Sequence, residues 1–194
     1  MTIEELKAEC ESCRSCEIGG QTLNEHTCTV LSNLNSAAKI MVVGQNPGFE
    51  EVLRATPFVG ISGKIFDKAL SENTSLTRDD LYICNAVCCF TPGNRKPTGA
   101  EFKNCSVWLR RQIKEINPIV IVTLGGVALK ALTGRTKISE AHGKLIRSEI
   151  YDVDVYPILH PSPLNTNRPD KKKEFVSDMI GLQKVLESKK WQNT

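Results

Sequence analysis

The sequence predicts an α/β fold, a central, mostly parallel sheet flanked by helices on both faces. Three observations point there. Short apolar runs rich in β-branched residues recur at Ala38–Val43, Leu81–Val87, Ile119–Leu124 and Val155–Leu159, as buried strands require. Stretches with helical spacing separate them. Loops marked by glycine, proline or polar residues follow the runs at Gly44–Gly60, after Val87, at Gly125-Gly126 and at His160–Leu164. In open α/β sheets the functional crevice lies at such carboxyl ends.

Taken in order, Ile3–Cys10 has helical spacing, with Ile3, Leu6 and Ala8 set among charges. Glu17–Asn35 is polar and glycine-containing and reads as an irregular connection. Lys39–Val43 is the first core strand, and Ser62–Leu70 a helix with Ile65, Phe66, Ala69 and Leu70 on one side. Ser75–Asp80 turns the chain into a second strand, Leu81–Val87. Thr91–Thr98, TPGNRKPT, is a loop with two prolines and a glycine. Thr98 caps the next helix, with Glu101 as its capping-box partner, and that helix runs to about Ile116. Ile119–Leu124 is a third strand, Val127–Leu132 a short helix, and Ile146–Tyr156 contains a strand or hairpin. Lys172–Lys189 closes the fold as an amphipathic helix.

Composition sets outer bounds. The 194 residues are expected to form one domain with a sizeable core, carrying a cysteine-bearing N-terminal segment over about residues 1–35. No apolar run approaches a membrane span. MTIEELKAEC is acidic and amphipathic, unlike a signal or transit peptide, so a cytoplasmic location is expected. A net charge of +3 permits nucleic-acid binding without demanding it. Eight cysteines in a chain with no secretion signal favour metal binding or burial over disulfides. Cys10, Cys13 and Cys16 form CxxCxxC; Cys88 and Cys89 precede a turn, and Cys105 lies in the following helix.

Two loops carry chemistry on their own residues. In GQNPGFEEVLRATPFVG, Gly44–Gly60, the amides of Gln45 and Asn46 can hold a water or a carbonyl. Phe58 stands beside another glycine, so the stretch suits a planar ligand, although an ordinary glycine-rich loop has the same letters. In HPSPL, His160–Leu164, two prolines make a rigid loop that holds a histidine and projects a leucine.

The set GQNPG, PFVG, YICNAV, CFTPGNRKP and HPSPL resembles the uracil-DNA glycosylase superfamily, and is most similar to its iron–sulfur branch, family four. That branch has GExPG and PFVG, an asparagine ending the second strand, CRPPxNRxP, HPS, an N-terminal CxxC, and a cysteine about sixteen residues beyond the CRPP one. The resemblance spans roughly residues 10–185 and implies a monofunctional enzyme that hydrolyses the N-glycosidic bond of uracil in DNA, single- or double-stranded, as a monomer. It implies that Phe58 stacks on the flipped base and Asn85 reads the uracil edge. His160 hydrogen-bonds charge developing on uracil O2. Leu164 fills the vacated stack, with Ser162 in the same substrate loop. Cys13, Cys16, Cys89 and Cys105 match the ligands of a 4Fe–4S cluster, with Cys10 and Cys88 as neighbouring alternatives; CxxC alone fits zinc equally. Cys84 reads as packed and Cys28 as a free thiol. Arg95, Lys96, Arg168 and Lys171–Lys173 are candidates for phosphate contacts.

The chain departs from that branch at two places. Gln45 replaces the usual acid and cannot serve as a general base. Asn46 stands where active branches carry asparagine, so Asn46 is expected to position the water with Gln45 assisting. Gly48 cannot block a thymine methyl, and Glu51 is the position that matches the screening acid. A glycosylase for another deaminated base, such as hypoxanthine, and a non-catalytic metal-containing DNA-binding protein are the competing readings. TPGNRKPT carries no inserted basic loop with a histidine, so crosslinking to DNA is not expected.

Overall fold

The computed structural model describes residues 2–189. In chain order the helices are α1 (Ile3–Glu11), α2 (Phe49–Arg54), α3 (Ile61–Asn73), α4 (Gly99–Ile116), α5 (Gly126–Thr133), α6 (Ile138–Ala141), α7 (Pro163–Thr166) and α8 (Pro169–Ser188). The strands are β1 (Thr22–Leu23), β2 (His26–Thr27), β3 (Ile40–Gly44), β4 (Leu81–Asn85), β5 (Val120–Leu124), β6 (Ile146–Ser148) and β7 (Val153–Ile158). The main sheet has the order β4-β3-β5-β7-β6. Its first four members are parallel, and β6 adds an antiparallel edge through a hairpin with β7.

Alternation along the strands makes two cores. Met41, Val43, Tyr82, Cys84, Ile121 and Val155 face α1, α4 and α5, where they meet Leu6, Leu109, Ile113, Ala128 and Leu132. Ile40, Val42, Ile83, Val122 and Ile158 face α3 and α8, where they meet Phe66, Leu70, Phe175, Met179 and Leu182. Every residue of β3, β4 and β5 is buried, which is why those strands read as continuous apolar runs rather than alternating ones.

The chain winds outward from β3, to β4 on one side and β5 on the other. The loops leaving β3 and β5 therefore diverge to opposite faces, and a crevice opens between them at the carboxyl ends. Gly44, Asn85, Gly125 and His160 all lie at that edge.

The expected helices and strands are present, with local differences. Thr98 and Glu101 form the expected capping box. Glu17–Asn35 is not merely irregular. It holds the β1–β2 hairpin, and residues 28–32 are buried. Val30 N–H donates to Cys88 O at 2.8 Å, and Phe90 N–H to Cys28 O at 2.9 Å. Asn33 Nδ2 donates to Leu81 O while its Oδ1 accepts from Ile83 N–H. These bonds cover the exposed side of β4, an edge that would otherwise offer open backbone groups. Helices α2, α6 and α7 were not expected; at four to six residues each, they are too short for a 3.6-residue period to show. Among the described residues no helix is long and apolar enough to cross a membrane.

Candidate active site

Three residues meet at the end of β3. Gly44 ends the strand, and a Cβ built there would meet the Oδ1 of Asn85 and the Phe58 ring, at 2.5 Å from Cε2. Asn85 is the last residue of β4, paired in register with Gly44 and 2% exposed. Its Oδ1 is buried with no hydrogen-bond partner. A buried carboxamide oxygen left unbonded costs about 1–3 kcal/mol, a cost that a ligand donor would remove.

Phe58 sits opposite, held by its surroundings. Its φ is +56°, a strained setting for a bulky residue. The Arg78 guanidinium pairs with Asp67 at 2.8 Å and donates to Pro57 O. The missing side chain of Gly63 leaves room for the Phe58 carbonyl. The Phe66 ring meets Phe58 edge-on, with centroids 6.3 Å apart, a favourable aromatic geometry.

The polar turn after Gly44 is fully organised. Asn46 Nδ2 faces three acceptors: Pro47 O at 2.9 Å, Thr91 Oγ1 at 3.2 Å and Asn94 Oδ1 at 3.3 Å. Its Oδ1 accepts from Gln45 Nε2 at 2.8 Å. Three acceptors on one side and a donor on the other orient the amide uniquely, and Oδ1 keeps a second lone pair for a water. Glu51 closes the loop, its Oε2 accepting from Gly48 N–H at 2.7 Å and its Oε1 from Gly60 N–H at 3.4 Å.

His160 follows β7. Its imidazole has no hydrogen-bond partner among the described residues, and burial pushes its pKa below the ordinary histidine value, so it is neutral at pH 7. Gly125, with φ +85°, backs onto it; a Cβ there would lie 3.0 Å from His160 Cβ. The His160 carbonyl accepts from Ser162 N–H and Asn165 Nδ2. Leu164 projects from the first turn of α7 and is 84% exposed.

The loop's other anchor is Asp178 of α8, which the sequence reading missed. Its Oδ2 accepts from Leu159 N–H at 3.1 Å and its Oδ1 from His142 Nδ1 at 2.9 Å. No local pattern marks the pairing, because the partners come from three elements. Asp178→Ala should leave Leu159 N–H and His142 Nδ1 without their acceptor. A destabilisation of about 1–3 kcal/mol is expected, with a lower excision rate from a loosened His160. Urea unfolding and single-turnover rates at fixed pH check both effects, and an unchanged midpoint would refute the anchoring role.

The cysteines gather elsewhere, beneath the sheet's α1–α4 face. Cys10, Cys13, Cys16, Cys88, Cys89 and Cys105 line one pocket with Ile18 and Trp108. The structure thus brings together the four expected ligands and both alternatives. Cys88 N–H donates to Cys105 Sγ at 3.2 Å, and hydrogen bonding from Cys88 lowers the Cys105 pKa despite burial. Burial raises the Cys89 thiol to about 12, while a contact with Thr29 Oγ1 at 3.3 Å opposes the rise. Asn104 Nδ2 donates to Ser15 O at 2.7 Å, and Arg111 pairs with Glu9 at 2.7 Å, so α4 and the N-terminal segment are joined beside the pocket. Cys84 is packed in β4; Cys28 is buried too, apart from the cluster of thiols. Among the described residues, no three Cys, His, Asp or Glu side chains converge on a single-ion position. Six thiols around one pocket are consistent with a cysteine-ligated iron–sulfur cluster.

Arg95, a candidate phosphate contact, is held within the fold. Its guanidinium pairs bidentately with Glu101 at 2.7 and 2.9 Å, and Glu101 is held well below the usual carboxylate range, at about 2, first by this bond. Arg95 thus fastens the TPGNRKP loop to α4, while Lys96 stays exposed. Of the other candidates, Arg168 pairs with Asp170 and Lys171 with Glu174. Lys172 is exposed and Lys173 also.

Residues 31–181 match the family model described as the uracil DNA glycosylase superfamily. Among curated proteins, the chain is 33% identical over 188 residues to a type-4 uracil-DNA glycosylase of Saccharolobus solfataricus, covering 93% of this chain and 85% of that one. It is 35% identical over 184 residues to the type-4 enzyme of Archaeoglobus fulgidus, covering 91% and 89%. It is 35% identical over 180 residues to that of Thermotoga maritima, covering 92% and 91%.

Proposed function

The chain belongs to the uracil-DNA glycosylase superfamily, and from that premise we propose that it hydrolyses the N-glycosidic bond of uracil in DNA, leaving an abasic site for base excision repair. The observation that carries this reading is the unpartnered Asn85 Oδ1 buried over Gly44 opposite Phe58. A flipped uracil stacked on the Phe58 ring beside Asn85 supplies what that oxygen lacks, an N3–H donor, while the Asn85 amide donates to O4. Cytosine presents an acceptor at N3 and a donor at C4, which leaves buried groups opposed and unpaired.

Each remaining group has a task. Unstacking the base costs a few kcal/mol, and the exposed Leu164 fills the vacated stack as an apolar wedge, beside Ser162 in the same loop. Cleavage leaves positive charge on the sugar and negative charge on uracil. His160, neutral and desolvated, donates an N–H to the O2 charge, a contact worth roughly 3–4 kcal/mol in comparable sites. Asn46 holds the attacking water through its free Oδ1 lone pair, oriented by Gln45. Neither amide is a general base, so water attack relies on positioning and on the departing uracil anion. Glu51, its carboxylate engaged by Gly48 and Gly60, acts on base choice by fixing the wall they form.

A 4Fe–4S cluster fits the thiol pocket, held by Cys13, Cys16, Cys89 and Cys105. Bound there it supplies a crosslink rather than electron transfer, since hydrolysis moves no electrons. Through Cys13 and Cys16 it would tie the N-terminal segment to the loop after β4, whose Thr91 and Asn94 orient Asn46. Cys16→Ala should therefore lose iron, visible absorbance and several degrees of melting temperature together. Iron analysis and a thermal scan check this, and full iron occupancy in the variant would remove Cys16 from the ligand set.

The substrate on this reading is uracil-containing DNA, met by a cytoplasmic monomer. The test is base release from oligonucleotides carrying uracil, thymine or hypoxanthine, as single strands and as duplexes. Uracil release is expected on both. Release of hypoxanthine alone would transfer the assignment to another deaminated base, and no abasic product from any substrate would falsify the enzymatic reading.

A further inference from the structure

The groove between α4 and α5 touches the chemistry above only at one end. It is a cavity of about 910 Å³ that begins at Gln45 and His160 and passes Phe102 and Lys103 to reach Lys130 and Tyr151. Lining residues on α4 run from Gly99 to Leu109, ten residues apart, or about 15 Å of helix. The groove is thus continuous with the catalytic edge but far longer than one base.

Its chemistry is one-signed. Lys96, Lys103 and Lys130 line it, all exposed, and no carboxylate does. None of the three is in an ion pair among the described residues, whereas Lys68, Lys137 and Lys171 elsewhere are paired with glutamates. Aromatic surface is interleaved with the charge. Phe102 lies half-buried on the α4 wall. The Tyr151 ring is held by the Arg110 guanidinium 5.0 Å from its centroid. Lysines alternating with accessible rings, without acid, are what a single strand of nucleic acid requires, phosphates on the cations and bases against the rings.

We propose that this groove carries the nucleotides adjoining the flipped uridine on the same strand, with Lys103 and Lys130 meeting phosphates and Phe102 or Tyr151 meeting a base. The proposal rests on the glycosylase reading, because Gln45 and His160 fix where the strand enters. It makes the enzyme a reader of unpaired or locally opened DNA over several nucleotides, rather than of one extruded base.

The test is binding by the full chain, with its metal, of a uracil-containing single-stranded 15-mer and of a trinucleotide centred on uracil. The variant Lys103→Glu/Lys130→Glu changes two exposed side chains, and melting temperature and visible absorbance verify its fold. Affinity for the 15-mer should fall at least tenfold, with the slope of log affinity against log salt shallower by about 1.4 for two lost single-strand phosphate contacts. The advantage of the 15-mer over the trinucleotide should shrink accordingly. Lys68→Glu/Lys184→Glu makes the same charge change on the α3–α8 face and should leave the 15-mer affinity within about twofold. Wild-type affinity in the groove variant, or an equal loss in the control variant, overturns the proposal. Binding is read separately from base release, so strong binding of the 15-mer without excision would count against the glycosylase reading and leave the groove to be judged by its own variants.

Discussion

Gly44→Ala should cut uracil excision by orders of magnitude while leaving the protein folded. The added methyl has nowhere to go: its carbon would overlap Asn85 Oδ1 and approach within 2.7 Å of both nearest Phe58 ring atoms. Neither neighbour is a flexible surface side chain. Asn85 is pinned by strand register, and Phe58 by Phe66, Arg78 and the close approach of Gly63. Overpacking of this kind costs about 1–3 kcal/mol of stability. The effect on turnover is larger, because a displacement of about 1 Å in a positioned group can cost on the order of a hundredfold, and here both the stacking ring and the base-reading amide must move. A drop in kcat/KM of about a thousandfold is expected, with a melting temperature lowered by only several degrees. Single-turnover excision and a thermal scan on the same preparation measure the two. Near-normal excision would mean that uracil is not held by Phe58 and Asn85, and the reading of the Asn85 oxygen would fall with it.

That cluster also shows what the sequence could disclose. Gly44, Phe58, Asn85 and His160 each follow a recognisable strand or flank a glycine, so topology alone places three of them at one sheet edge. The capping box at Thr98 and Glu101 was equally legible, because its partners are three residues apart. What escaped was long-range. Arg95 looked like a free cation until the fold set Glu101 beside it. Asp178 looked like one more acid on an amphipathic helix, yet it is 3% exposed and holds the backbone preceding His160. Residues 28–32 looked like a polar connection because their partner, the edge of β4, lies more than fifty residues away. The cysteines, by contrast, were legible: Cys10 and Cys88 stand beside the four matching thiols in the sequence, and all six line one pocket.

His160→Ala is the second large effect, and its pH dependence identifies the mechanism. Removing a preorganised donor to developing charge should lower the rate of excision by about 10²–10³-fold, while DNA affinity stays near normal, since the imidazole acts on charge absent from the ground state. The depressed pKa decides which form of the ring does the work. Burial opposes protonation, so the folded-state pKa lies below 6.5 and the ring is neutral through the neutral range. Wild-type excision should therefore be flat from pH 8 down to about 6.5 and change only in more acidic buffer. A charged-donor mechanism would instead raise the rate as pH falls through 6.5. The same shift has a stability consequence with a defined sign. The unfolded chain binds a proton at His160 more readily than the folded one, so the contribution is fully present above the unfolded pKa and declines as pH drops from there towards the folded value. Urea melts of wild type and His160→Ala at pH 7.5 and 5.5 should show the smaller acid loss in the variant. Equal acid losses, together with a wild-type rate that climbs below pH 6.5, would contradict a neutral imidazole and assign the catalytic hydrogen bond to the imidazolium.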